Sequence, residues 1–142
     1  HRGVEIKRRV VDMLHSLGHD VLDVGSDGAE SVDYPDYAFE VATRVGKREY
    51  ERGLLICGTG IGMCLAATKV HGVRAAACQD VLTAETSRRH NDANVLCLSA
   101  DLLGEDQMTQ MIRIWLDTPF EGGRHLRRVE KIAKIEAEQC GK

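Results

Sequence analysis

The sequence predicts an α/β fold built on an open, mostly parallel sheet with helices on both faces. Short apolar, strand-like runs alternate along the chain with stretches of helical apolar period, a pattern that favours parallel strands joined by crossover helices. The chain has 142 residues with only two prolines. It shows no repeat or low-complexity stretch, so one domain over residues 1–142 with a full core is expected.

The elements follow in order. Ile6, Val10, Met13, Leu14 and Leu17 mark a helix over residues 4–17, with Gly18 as its stop. Val21, Leu22 and Val24 predict a short strand over 20–25, followed by a polar turn over 26–33. Pro35 opens a helix with the stripe Ala38, Val41, Ala42 and Val45. Residues 53–57 read as a strand, and a glycine turn leads from it into a helix through Cys64 to Lys69. A strand over 73–78, a helix over 82–90 and a strand over 94–98 come next. Residues 105–116 form an amphipathic helix through Met108, Met111, Ile112 and Trp115. After Pro119 and Gly122-Gly123, a last helix runs to about Gln139.

Composition narrows the function. The formal net charge of -3 gives no reason to expect nucleic acid or an acidic membrane as partner. No apolar run approaches the roughly 20 residues of a transmembrane helix. Five cysteines (Cys57, Cys64, Cys78, Cys97, Cys140) include no CxxC pair. Their odd number and apolar settings suggest reduced thiols in a cytoplasmic protein, and no Cys/His spacing predicts a metal site. The sequence begins at His1 rather than Met and enters a helix almost at once, so an N-terminal segment is expected to precede it.

The richest stretch is Leu54-Leu55-Ile56-Cys57-Gly58-Thr59-Gly60-Ile61-Gly62. It places a thiol at the carboxyl end of a strand, where ligands of open α/β sheets bind. A dinucleotide fingerprint fails because Met63 follows Gly62, and the lysine of a phosphate loop is absent. What remains is an anion or oxyanion cradle at a helix N-terminus, and a helix N-terminus also favours the Cys57 thiolate. Thr59 is placed to donate a hydrogen bond to the thiol or to a substrate oxygen. Cys64, Cys78 and Cys97 are expected to pack.

Ser87-Arg88-Arg89-His90-Asn91-Asp92 admits two readings. It is a solvated helix end with His90 favourable to the dipole, or it supplies His90 as general acid or base and Asn91 as an oxygen-binding amide. Arg124 and Arg128, spaced i, i+4 behind a glycine pair, share a helix face in the first turns. Cations there are unfavourable unless they face an anion, which points to a phosphate. Tyr34 or Tyr37, around Pro35, leans over a pocket. Together these groups suggest proton abstraction beside a carbonyl on a small phosphorylated substrate, with no metal or cofactor.

Asp33-Tyr34-Pro35, Ile56 through Gly62, Arg89-His90-Asn91-Asp92-Ala93-Asn94 and Glu121-Gly122-Gly123-Arg124-His125 with Arg128 closely resemble the ribose-5-phosphate isomerase B family, which also contains the galactose-6-phosphate isomerase subunits. The resemblance covers essentially the whole chain. It implies a three-layer, Rossmann-like sandwich, interconversion of ribose 5-phosphate and ribulose 5-phosphate, and a homodimer with shared active sites, leaving tetramers open. It further implies that Cys57 is the base for a cis-enediolate, that Thr59 assists, and that Gly58, Thr59, Gly60, Ile61 and Gly62 hold the oxyanion. His90 would open the furanose ring, Asn91 would bind a hydroxyl, Tyr34 would line the sugar site, and Arg124, Arg128 and His1 would take the phosphate.

Two departures from the family pattern stand out. Its first strand, ending in Asp-His, is represented here by His1 alone. Many relatives also carry an arginine after the strand that ends at Leu98-Ser99, where this chain has Ala100-Asp101-Leu102. These departures keep two alternatives in view: an isomerase of a hexose 6-phosphate such as allose or galactose 6-phosphate, and a non-catalytic sugar-phosphate-binding subunit.

Overall fold

The structure, a computed structural model, describes residues 2–25 and 33–140. Its elements are α1 (Arg2–Ser16), α2 (Tyr34–Gly46), β1 (Gly53–Cys57), α3 (Ile61–Thr68), β2 (Ala75–Ala77), α4 (Val81–Arg89), β3 (Val95–Ser99), α5 (Glu105–Asp117) and α6 (Arg124–Cys140). The three strands are parallel in the order β1-β3-β2.

The central strand explains the layering. All five residues of β3 are buried, as expected for a parallel strand covered on both faces. Side chains alternate along a strand, so Leu96 and Leu98 face one apolar cluster with Ile6, Val10 and Leu14 of α1, Ala84 of α4, and Met108, Met111, Ile112 and Trp115 of α5. Val95 and Cys97 face the other, with Leu55, Ala38, Ala42 and Val45 of α2, and Met63 and Ala67 of α3. The expected open parallel sheet with helices on both faces is therefore present. α6 belongs to neither cluster. Its Glu136 accepts the Gly72 N–H at 2.8 Å and lies 3.1 Å from His71 Nδ1, which fastens it to the loop before β2.

Three sequence expectations are corrected, and a fourth falls largely outside the described residues. Residues 20–25 are not a strand: among the described residues no neighbour offers them a ladder, and Val21 instead packs against the α1/α5 cluster. The strand expected over 73–78 is regular only over Ala75–Ala77, because the Asn94 side chain takes the Arg74 N–H at 2.7 Å in place of a ladder partner. Leu17 is 43% exposed, since Gly18 at φ +90 ends the helix before that turn reaches the core. The polar turn expected over 26–33 lies, apart from Asp33, outside the described residues.

Leu96 is fully buried on β3. Leu96→Ala should lower the unfolding free energy by about 3 kcal/mol, read as a shifted denaturant midpoint with an unchanged m-value.

Candidate active site

The first half of the site grows from the end of β1. Cys57 is half-buried, and its Sγ accepts the Gly60 N–H at 3.1 Å. That N–H is free for the purpose because the first amides of a helix have no carbonyl partner. Gly60 adopts φ +81, and a Cβ there would lie 3.3 Å from the Leu98 carbonyl carbon. Glycine is thus required both by conformation and by close packing on β3. Thr59 Oγ1 accepts the Ile61 N–H at 3.2 Å, which leaves the hydroxyl proton available.

β3 staples this turn from beneath. Ala100 N–H donates to the Cys57 carbonyl at 2.8 Å, Asp101 N–H donates to that of Gly58 at 3.2 Å, and Ser99 Oγ donates to the Gly58 carbonyl at 2.5 Å. The Ser99 oxygen in turn accepts the Leu102 N–H at 2.9 Å. Tyr34, at the start of α2, closes the other side: a Cβ on Gly62 would lie 2.6 Å from two carbons of its ring. Sequence reasoning pointed to Ala100 as the departure after β3, but Ala100 is buried. The exposed neighbour Asp101 reaches the turn, its Oδ2 3.0 Å from where a Gly58 Cβ would stand. A carboxylate there disfavours a phosphate at the glycines.

The second half surrounds the end of α4. His90 stacks on His125, with ring centroids 4.0 Å apart and planes 10° from parallel. Glu121 Oε1 lies 3.9 Å from Nε2 of each histidine. Arg89 holds the other Glu121 oxygen at 3.0 Å, and the Glu121 N–H donates to the Arg89 carbonyl at 3.0 Å. The Arg89 hydrogen bond keeps the Glu121 carboxyl below its usual range. Burial, then the neighbouring His90, pushes His125 down, so His125 favours the neutral imidazole.

This helix end is not simply solvated. Arg88 is 6% exposed. It donates to the Ala93 carbonyl at 2.6 Å, to Asp92 Oδ1 at 2.9 Å and to the Thr118 carbonyl at 3.3 Å. The guanidinium thereby holds the loop after His90 and the segment leading to Glu121 in one clamp. Asn91 is exposed beside His90, and Arg124 and Arg128 are exposed on successive turns of α6.

The two halves do not meet within one chain. Cys57 pairs with Ser99 at the carboxyl end of the sheet. His90 precedes β3, and the Asn94 carbonyl accepts the Gly53 N–H at the amino end. Five strand residues at about 3.3 Å each separate the ends by on the order of 15 Å. Residue types alone collected these groups into one constellation, and the family resemblance implied sites shared between subunits; within one chain the fold places them at opposite ends of the sheet. His1 lies outside the described residues.

Among the thiols, Cys78 and Cys97 are buried as expected. Cys64 packs against the second apolar cluster, as expected, and is pushed down to about 6, first by a hydrogen bond from Cys97 and then by Thr68 and the Ala77 backbone, against burial. No spacing signal marks it, because Cys97 lies two elements away. His90, Glu121 and His125 likewise bring three potential metal donors within 4.8 Å of one another, a grouping that Cys/His spacing did not predict.

The family described as Ribose/Galactose Isomerase matches residues 1–132. The chain belongs to this family. Ribose/galactose isomerase relatives include ribose-5-phosphate isomerase B of Escherichia coli, 42% identical over 136 residues, covering 96% of this chain and 91% of that one. D-erythrulose-4-phosphate isomerase of Pectobacterium atrosepticum is 39% identical over 137 residues, covering 96% and 90%. Among solved structures, ribose-5-phosphate isomerase B of Mycoplasma genitalium with bound ribulose-5-phosphate superposes with a TM-score of 0.94 at 41% identity, covering 98% of this chain and 93% of that one. The family's Rossmann-like layering is the one described above. Among the described residues no helix is long and apolar enough to cross a membrane.

The contact between Tyr34 and Gly62 is testable by a double-mutant cycle. Gly62→Ala should leave stability near wild type, because the helix-propensity gain is offset by displacing the ring. In a Tyr34→Ala background the same change should stabilise by about 1 kcal/mol, measured by chemical denaturation.

Proposed function

We propose that this protein is an aldose–ketose isomerase that interconverts ribose 5-phosphate and ribulose 5-phosphate through a cis-enediolate. The observation that carries this reading is the Cys57 thiol at the end of β1, accepting the Gly60 N–H at 3.1 Å beside a turn rich in amides, in a chain of this family. The ribulose-5-phosphate bound by the Mycoplasma genitalium relative supports the substrate.

Cys57 acts as a thiolate base, and the Gly60 N–H holds its sulfur in place at 3.1 Å. That thiolate removes the proton from C2 of the open-chain aldose and returns it to C1, while the proton of the C2 hydroxyl passes to the oxygen on C1. Atoms and charge balance without an external acceptor. Thr59, with its hydroxyl proton available, assists at the oxygens. Two amides of the turn are already engaged, Gly60 with Cys57 and Ile61 with Thr59. The remaining amides between Gly58 and Gly62 hold the enediolate charge.

His90 opens the furanose ring and Asn91 binds a sugar hydroxyl. Tyr34 lines the sugar site, and Arg124 and Arg128, joined by His1, take the phosphate. The carboxylate of Asp101 beside Gly58 supports this polarity, with the phosphate at the arginines and the reacting carbons at the glycines.

A homodimer completes the site, a reading supported by two halves that lie at opposite ends of one sheet. Cys57 of one chain faces His90 and the arginines of its partner, and two-fold symmetry gives two such sites. The apolar stripe of α6 supports a second copy as its cover, since Leu126, Ile132 and Ile135 are 45%, 51% and 61% exposed. The Pectobacterium atrosepticum relative acts by name on a four-carbon phosphate, so a sugar chain length other than five is the second reading.

Cys57→Ala should abolish turnover of ribose 5-phosphate while fold and assembly persist; undiminished turnover removes Cys57 as the base. Arg124→Ala should raise KM on the order of tenfold with a smaller change in kcat, the signature of lost uniform binding. Mixing unfolded and refolded Cys57→Ala and His90→Asn chains should recover roughly a quarter of wild-type activity, because half the dimers regain one of two sites. A mixture that stays inactive while forming mixed dimers confines the site to one chain. Turnover measured side by side on four-, five- and six-carbon phosphates decides the sugar.

A further inference from the structure

We propose that His90, His125 and Glu121 form a binding site for a divalent transition-metal ion of the zinc class, and that the bound ion withdraws His90 from catalysis. The inhibitory half rests on the role given to His90 above. The binding half rests on geometry alone.

The donor atoms already lie within 4.8 Å of one another. Stacking places the Nε2 atoms of His90 and His125 on the same side, each 3.9 Å from Glu121 Oε1. Two imidazoles and one carboxylate are three of the four ligands of a tetrahedral zinc, and the fourth position stays open to water. Zinc bonds of ~2.0–2.1 Å set tetrahedral donors roughly 3.3 Å apart, so each histidine–carboxylate pair closes by about half an ångström, and the two imidazole nitrogens, within 4.8 Å of one another, close by up to about 1.5 Å. The rings are 10° from parallel, so binding one ion requires them to turn out of their stack until both lone pairs aim at it.

The surroundings hold the donors in place. Arg89 grips the Glu121 oxygen that faces away from the histidines, the outer contact that orients a metal-binding carboxylate. The Arg88 clamp fixes the segments before Glu121 and after His90. The His90 and Glu121 side chains are 37% and 38% exposed, whereas that of His125 is 11% exposed, so the site is open in front and closed behind. Arg89 and the nearby Arg124 and Arg128 oppose a cation. They set the affinity below that of a closed structural zinc site, as suits a reversible inhibitor. An ion on Nε2 of His90 occupies the lone pair that a general acid or base needs.

The test uses the reduced, full-length protein with Zn²⁺ and Co²⁺ as probes. Zinc titration against a chromophoric chelator should give one ion per chain. Cobalt should show visible ligand-field bands without the near-ultraviolet band of thiolate ligation. Glu121→Gln and His125→Asn should each weaken zinc binding by about tenfold or more, and Cys57→Ala should bind zinc as wild type does. Unaltered affinity in the first two variants, a thiolate band, or no binding at millimolar zinc overturns the site. Zinc bound at these residues with undiminished turnover overturns the inhibitory half. Failure of the isomerase reading appears separately, as absent turnover in metal-free protein.

Discussion

The parallel pairing of β1 with β3 is the constraint on which the rest of the molecule depends. It does not stop at the last ladder residue. Ala100 and Asp101 carry backbone hydrogen bonds onward to the carbonyls of Cys57 and Gly58, and the Ser99 hydroxyl adds another to Gly58. The chain therefore leaves β1 along a fixed path, and Gly60 must press its backbone against Leu98 in a left-handed conformation. From that path follow the thiol's bond to the Gly60 N–H, the N-terminus of α3 at the cleft, and the seat of Tyr34 over Gly62. β3 is buried on both faces, which keeps solvent from the contacts that Leu98 and Ser99 make in this path.

The amino end of the sheet is organised by different physics. There a buried guanidinium, Arg88, satisfies loop carbonyls that no strand or helix reaches. Around it the chain gathers a stacked histidine pair, a carboxylate gripped by Arg89, and the exposed arginines of α6. One end of the molecule thus offers a half-buried thiol and backbone amides, and the other offers imidazoles and cations. The length of a five-residue strand keeps them apart in one chain.

Much of this was legible in the sequence. The elements from α2 to α6 follow their apolar periods closely, and the strand–Cys57–glycine motif marked the carboxyl-end site because strand, thiol and turn are contiguous. Failures came where long-range partners decide. Residues 20–25 have a strand's composition, yet a strand exists only through a neighbour. Arg88 looks like a surface residue in any window of the sequence and becomes buried because Ala93, Asp92 and Thr118 surround it. Cys64 acquires its lowered pKa from Cys97, 33 positions away.

The sequence by itself determined the fold class and family and the residues with chemistry to offer, since these depend on local period and on short motifs. Only the tertiary structure decided how those residues are grouped. Strand direction puts Cys57 and His90 at opposite ends of one sheet. The packing of α6 across the amino end sets His125 on His90 and Glu121 beside both. Such neighbours are fixed by the path of the chain in space, and no spacing along the sequence encodes that path.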